Sequence, residues 1–569
     1  MDLLERVIQL SDYETSTWKD YQDALNYQKS MGFTDRFPEF EKFKQGDQWP
    51  QATARTKSLP RPVFNIVKLF ISNKKSNVLN QKIKMIFTPA EVQDGEDMSY
   101  MAAQDYTDYA DNLWYELDQE GLNDSMVEDA ATMGTGILHY YWDTSVSGGQ
   151  YIKYNGALRG ETLDPLNVFF GNPQETNVQK QPWIIISSRD MVKNVRALAE
   201  KEGLSKEEIE LINPDNENID EAYDTARLEL KEGTKITVLT RYFKENGQVY
   251  FSKSVRGVDI IKKRRLGVKI QDDETGEVQI DRALSLYPVA VFNWGLRKKC
   301  IFGSGEAESL IPNQKAINFN IGMMLLSVQD NAWPKILAKP GALKQSITNK
   351  PGEILTDYYT SGDGIKYMQP PNFNYMAVNI VDKIMELSRL TSGVTEITTG
   401  EQLGANMAAS AIIALQNQAK VPIDNIQQRF YRCQKEVGKI WEQFFKVFYI
   451  MPRNMSVLDD GQIMTREFNG GKYADVEFKM KIDVGAASIF SESLSMTVLD
   501  KIYDKGDITF DEYLAVIPET VLPSKEQLRK LVSKRVSQSL NMEQQQIYNQ
   551  PMPQQGMISG GEMYGMPGM

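Results

Sequence analysis

One histidine and two cysteines are all that 569 residues offer to the commonest catalytic and zinc chemistries. His139 is the sole imidazole, so the usual general base is nearly absent. There is no CxxC pair, and Cys300 and Cys433 lie far apart in the chain. That excludes the common zinc sites and leaves two reduced thiols that help fill cores. His139 lies in the strand-like run GILHYYWD and reads as structural. No GxxxxGK[ST] occurs: Gly470-Gly471-Lys472 lacks the first glycine and the hydroxyl, so no nucleotide-binding phosphate loop is expected. No GxSxG occurs and no GxGxxG follows a strand; Gly303-Ser304-Gly305 reads as a turn before a helix. No apolar run approaches the roughly 18 residues of a membrane span, and no membrane partner is expected. The start, MDLLERVIQLSDYETSTW, has neither a basic leader nor an apolar core, so an intracellular protein is expected. A basic excess is missing too. The net charge is −12, whereas a protein that grips nucleic acid normally carries a positive balance. Among the 76 acidic residues no DxD or ExK arrangement stands out at a strand end. No catalytic residue, metal ligand or cofactor is therefore assigned, and the chain is not read as an enzyme.

Hydrophobic residues at 41% and aromatics at 10% are enough for packed cores. Residues 1–30 predict a helix with Leu3, Leu4, Val7, Ile8 and Trp18 on its apolar stripe. Pro62 is expected to open the next helix, which leads into the apolar run Ile83 to Phe87. A helical region over 97–131 stops at Gly134 and Gly136. Paired strands follow around Gly148-Gly149, then a buried strand in KQPWIIISSRD. Residues 190–230 read as a solvated, acidic helical excursion. Asn246-Gly247 marks a hairpin. The stretch 256–283 is strand-like and charged, and residues 1–304 together form an α+β body. Later, VEFKMKIDV alternates and is a candidate to extend that body's sheet. Short helices are expected over 491–540, and 541–569, rich in Gln, Met, Gly and Pro, reads as a disordered tail.

Residues 305–450 are laid out differently. A helix over 305–333 is followed by a Pro/Gly-rich β insert, a second helix over 375–393, a Gly-broken loop, and a third helix over 408–450. In the third helix Ile423, Ile426, Phe430, Cys433, Val437, Ile440, Phe444 and Val447 step by three or four. Its length is about 65 Å at 1.5 Å per residue, and Pro422 removes one backbone donor and predicts a kink. The loop offers Thr395, Glu396, Thr398, Thr399, Gly400, Glu401, Gln402, Gly404 and Asn406, either as a linker or as a mobile element. Two basic clusters, Lys262-Lys263-Arg264-Arg265 and Arg297-Lys298-Lys299, read either as solvated strand ends or as contacts to nucleic acid or an acidic partner subunit. Long helices separated by a small insert and a loop suit an elongated subunit that shares faces with its copies.

FKQGDQWP, DAATMGTGILHYYWD and DPLNVFFGNP, in this order and followed by helix, β insert, helix, Gly loop and helix, resemble the tailed-bacteriophage portal proteins across nearly the whole length. The resemblance implies a portal-type fold. A wing would cover 1–304, with stem helices at 305–333 and 375–393 and a clip at 334–374. A channel loop would follow at 394–407, then the long kinked helix 408–450, strands completing the wing over 451–490, and a short helical crown at 491–540. It further implies a ring, usually a dodecamer, at one capsid vertex, through which double-stranded DNA is packaged and ejected. Large terminase and later a tail adaptor protein would dock on the clip, where Lys344, Lys350, Tyr358, Tyr359 and Tyr367 offer contacts. Major capsid and scaffolding proteins would surround it. The location implied is the virion, with the host cytoplasm during assembly. The alternatives are a carboxylate–metal nuclease or another ring-forming head–tail connector.

Overall fold

The computed structural model describes residues 16–91, 97–149, 153–215, 235–271, 278–332, 336–342, 364–367, 376–393, 409–459, 462–484, 499–506 and 508–517, with 496 and 528 as single positions. The chain divides into two compact units, Met1–Met455 with Arg466–Gly485, and Ser456–Thr465 with Ala486–Met569. Helix and sheet are mixed, as the α+β reading expects.

The first unit begins with α1 (Ser16–Ser30) and α2 (Phe33–Gln45). Helix α3 (Ile66–Val78) does not open at Pro62. Asn65 is the better cap: its side chain accepts the Lys68 amide at 2.9 Å and donates to the Lys44 carbonyl at 2.8 Å. Pro62 stays in the extended lead-in, where its carbonyl accepts the Trp49 indole at 2.9 Å. After β1 (Ile83–Pro89), the expected 97–131 helix is two helices, α4 (Asp97–Glu116) and α5 (Gln119–Met133). The break falls at Asp118, whose φ of 50° leaves the helical region.

Next come β2 (Thr135–Gly148), β3 (Tyr154–Leu163), β4 (Val168–Phe170), β5 (Trp183–Met191), α6 (Val192–Lys201), α7 (Lys206–Glu210), β6 (Lys235–Glu245), β7 (Gln248–Val255), β8 (Val258–Arg265), β9 (Gly267–Gln271), β10 (Val278–Ala283) and β11 (Val289–Asn293). They form an antiparallel five-stranded sheet, β4-β5-β6-β7-β8, and a three-stranded one, β11-β2-β3, with β9 and β10 as a separate ribbon. Asn246 and Gly247, both at positive φ, make the expected hairpin turn between β6 and β7.

Two helices cover opposite faces of the five-stranded sheet. Helix α1 packs Trp18, Tyr21 and Leu25 on Phe169, Ile185 and Leu239. Helix α6 packs Val195 and Ala199 on Ile236 and Val238. Val238 and Leu239 are adjacent in one strand, so they face opposite ways. The described part of 190–230 is therefore packed core as much as solvated excursion: the sheet's second apolar face needs a cover, and α6 supplies it. His139 joins the two sheets: its Nδ1 lies 2.8 Å from Glu161 and its Nε2 3.0 Å from the Tyr242 hydroxyl.

The long elements follow: α8 (Glu306–Ala332), β12 (Ile336–Ala338), β13 (Ile365–Tyr367), α9 (Met376–Ser392), α10 (Ala409–Phe448), β14 (Arg453–Asp459), β15 (Gln462–Phe468) and β16 (Phe478–Val484). All eight apolar positions of the third long helix, Ile423 through Val447, are buried. VEFKMKIDV does form a strand, but β16 pairs with β1, Phe87 opposite Met480, rather than with either larger sheet. In the second unit, α11 (Phe510–Val516) opens on a Thr509–Glu512 capping box.

Candidate functional site

The most unusual region is built on α8, whose two halves live in different environments. Glu306 and Glu308 favour the helix start, where the dipole welcomes negative charge. Leu310, Ile311 and Ile317 are buried as α8 packs on α2, α3 and α5. Buried polar groups then lock its register. Gln314 Oε1 accepts the Ile66 amide at 2.8 Å, and its Nε2 donates to the Phe64 carbonyl at 2.7 Å. Asn318 Nδ2 donates to Gln48 Oε1 at 2.6 Å. At the first turn the Glu306 carboxylate receives Lys74 Nζ at 2.5 Å and the Trp294 indole at 2.8 Å, with both charges nearly buried.

Beyond Asn318 the helix stops behaving like a core helix. Phe319 is 60% exposed and Val328 62%, with Met323 and Leu325 also in solvent. Helix α9 runs beside it, tied by Asn313 Nδ2 donating to Ser388 at 2.9 Å, and leaves Ile380, Leu387 and Leu390 exposed, the last at 76%. Gly322 lies nine residues, or about 180°, round α8 from Asn313. On that opposite flank a Cβ at Gly322 would meet the Pro60 carbonyl at 3.4 Å and the Trp49 ring at 3.8 Å. A cleft of about 160 Å³ opens there between Trp49, Leu59, Phe319 and Met323. A wider depression of about 890 Å³ adjoins it, rimmed by Asp35, Glu39, Asp47, Lys42 and Lys315. The helical hairpin thus carries uncovered apolar side chains on several sides.

Helix α10 runs through Pro422, which has no amide to offer the Gln418 carbonyl. Gly393, just past the end of α9 at φ 70°, abuts it: a Cβ there would stand 3.3 Å from Pro422 Cβ. The segment 394–407, with Thr395, Glu396, Thr398, Thr399, Gly400, Glu401, Gln402, Gly404 and Asn406, lies outside the described residues, as do Lys344, Lys350, Tyr358 and Tyr359. Tyr367 ends β13, where its backbone pairs with Ile336.

The two basic clusters fare differently. Lys263 pairs with Glu245, Arg264 with Glu202 at 2.5 Å, and Arg265 with Asp281, all within this chain. Lys262 is exposed beside them, and Lys298 and Lys299 are exposed on a turn, while Arg297 binds Glu308 at 2.6 Å. A basic face that the sequence reading passed over lies on α10. Arg432, Lys435 and Lys439 are exposed and make no ion pair with any described residue. Their i, i+3, i+7 spacing was available in RCQKEVGK, beside an apolar stripe already recognised.

One carboxyl stands apart. Burial, and secondarily the charge of Asp164, pushes Asp129 up to about 7. Among the described residues no group of three or more His, Cys, Asp or Glu is placed to hold a metal ion. No described helix is long and apolar enough to cross a membrane. No protein-family model matches the chain, and no curated protein is similar to it.

Proposed function

We propose that the chain is the subunit of a portal ring, set at one capsid vertex, through which double-stranded DNA is packaged and ejected. The observation that carries this reading is the α8–α9 hairpin, with Phe319, Met323, Val328, Leu387 and Leu390 in solvent. Apolar side chains clustered on a long hairpin call for another surface, and flanks of different shape favour a head-to-tail contact, which closes into a ring when the rotation allows. In this reading α8 and α9 are the stem, the strands β12 and β13 belong to the clip, and α10 joins stem to wing. The sheets and α1–α7 form the wing. Large terminase and a tail adaptor are the partners at the clip, capsid and scaffolding proteins those at the wing, and the virion is the final location. The role needs no active site in this chain.

The decisive experiment is electron microscopy of the purified full chain, with mass photometry across a wide concentration range. Rings with an axial hole, about twelve-fold, are expected. Monomers or dimers alone at every concentration overturn the proposal.

A further inference from the structure

We infer that the outer face of α10, through Arg432, Lys435 and Lys439, contacts the phosphate backbone of nucleic acid. The inference rests on the reading of the chain as a DNA-conducting ring, and it names where in the subunit DNA is touched.

The conspicuous basic run at 262–265 is largely committed to acids, although Lys262, Lys298 and Lys299 stay exposed. Lys263, Arg264 and Arg265 each face an acid on a neighbouring element, and Lys44 and Lys75 share Glu128 at 3.0 and 2.6 Å. In a chain of net charge −12 such pairing is the expected fate of a cation. Arg432, Lys435 and Lys439 depart from it. All three are exposed and without an acidic partner among the described residues. Their spacing puts them in one row of about 10 Å along the helix. The same face carries two exposed acids, Glu436 between the bases and Asp424 about two turns before Arg432, and the neutral Asn425 and Gln428. At its edge sits Arg429, partly buried, with an Nε that finds no hydrogen-bond partner. Burial and then the neighbouring Arg432 charge disfavour its protonated form. The opposite side of α10 is committed to the core through Ile426, Phe430, Cys433, Val437 and Ile440, so the basic row cannot turn inward.

A straight row of cations suits a polyanion better than a single acid. Duplex DNA presents a charge every 1.7 Å or so along its axis, and a guanidinium meets phosphate oxygens in a bidentate fork. Three or four such contacts give weak, salt-sensitive, sequence-independent binding, which lets DNA slide.

The test is fluorescence anisotropy of a short labelled duplex of random sequence with the full chain over a salt series. The triple variant Arg432→Gln, Lys435→Gln, Lys439→Gln should lower the slope of log affinity against log salt by about two to three, at roughly 0.9 per lost phosphate. The double variant Lys435→Gln, Lys439→Gln should lower it by about two. Lys263→Gln with Arg264→Gln should leave the slope unchanged. Thermal melting of each variant controls for folding. An unchanged slope in the triple variant, or no binding by the native chain at low salt, overturns the inference. So does a loss of ring formation with DNA affinity intact, which assigns the face to a second copy. Rings with an unaltered slope sink only this inference; slope loss in a protein that never forms rings sinks only the portal reading.

Discussion

Gly134 and Gly303 approach so closely that a Cβ on Gly134 would stand 2.5 Å from the Gly303 oxygen, and one on Gly303 would stand 2.3 Å from the Gly134 oxygen. This backbone contact joins the end of α5 to the turn that starts α8. Gly134 also has a φ of 105°, and its carbonyl accepts the Trp294 amide at 3.0 Å. Two glycines that read as a helix stop and a pre-helix turn are thus one joint at the root of the helical hairpin.

Gly134→Ala should therefore be severe. The left-handed backbone and the overlap with Gly303 together cost roughly 2–4 kcal/mol. Urea denaturation should show the loss, and Ala at the freely exposed Gly203, where no atom lies within 4 Å but φ is also positive, should cost less.

The buried lock on α8 makes a second prediction. Gln314→Leu removes the side-chain partner of the Ile66 amide and of the Phe64 carbonyl, which keep only their mutual bond at 2.9 Å, and leaves Asn318 without its Gln314 donor. The expected loss is roughly 1–3 kcal/mol by chemical denaturation. Gln314→Glu keeps one acceptor and should lie between the two.

Asp129 gives the pH dependence. Its folded pKa of about 7 exceeds the unfolded value of roughly 3.9. The folded state therefore binds more protons between these values, and this group's contribution is fully present below about pH 4 and lost as pH rises to 7. Asp129→Asn should flatten that decline. Relative to the native chain it should gain on the order of 2–4 kcal/mol at pH 8 and little near pH 4.5, as read from urea melts at the two pH values.

Leu387 and Leu390 face solvent on α9. Replacing both with Ser should leave the melting temperature of the isolated subunit within a few degrees. Ring formation, measured by mass photometry, should shift to at least tenfold higher concentration, which corresponds to about 1.4 kcal/mol per contact. Assembly identical to the native chain would show that this face is not an interface.

Periodicity carried the long elements into view. The stripe from Ile423 to Val447 is buried throughout because a 3.6-residue repeat of apolar side chains on a helix has one stable use, covering a core. Asn246-Gly247 marked its hairpin for the same local reason: few residues tolerate two positive φ values in succession. Boundaries were less legible. Asn65 outcompetes Pro62 as a helix start through a hydrogen bond to Lys44 that depends on how α2 ends. The packing of Val195 and Ala199 was hidden because a short amphipathic helix reads alike whether its stripe meets a sheet or not.

By itself, then, the sequence determined where the long helices of 305–450 lie, where apolar stripes run, and how little histidine, cysteine or phosphate-loop chemistry the chain holds, while the helix Phe33–Gln45 escaped it. Those properties depend on residues near one another in the chain. Only the tertiary structure decided which charges remain available. Arg264 meets Glu202 across 62 positions, and Lys74 meets Glu306 across 232. No local pattern encodes such pairs, because Coulomb attraction acts through space and burial sets its strength. The conspicuous KKRR run is mostly neutralised for that reason, while the scattered Arg432, Lys435 and Lys439 keep their charge on an open face.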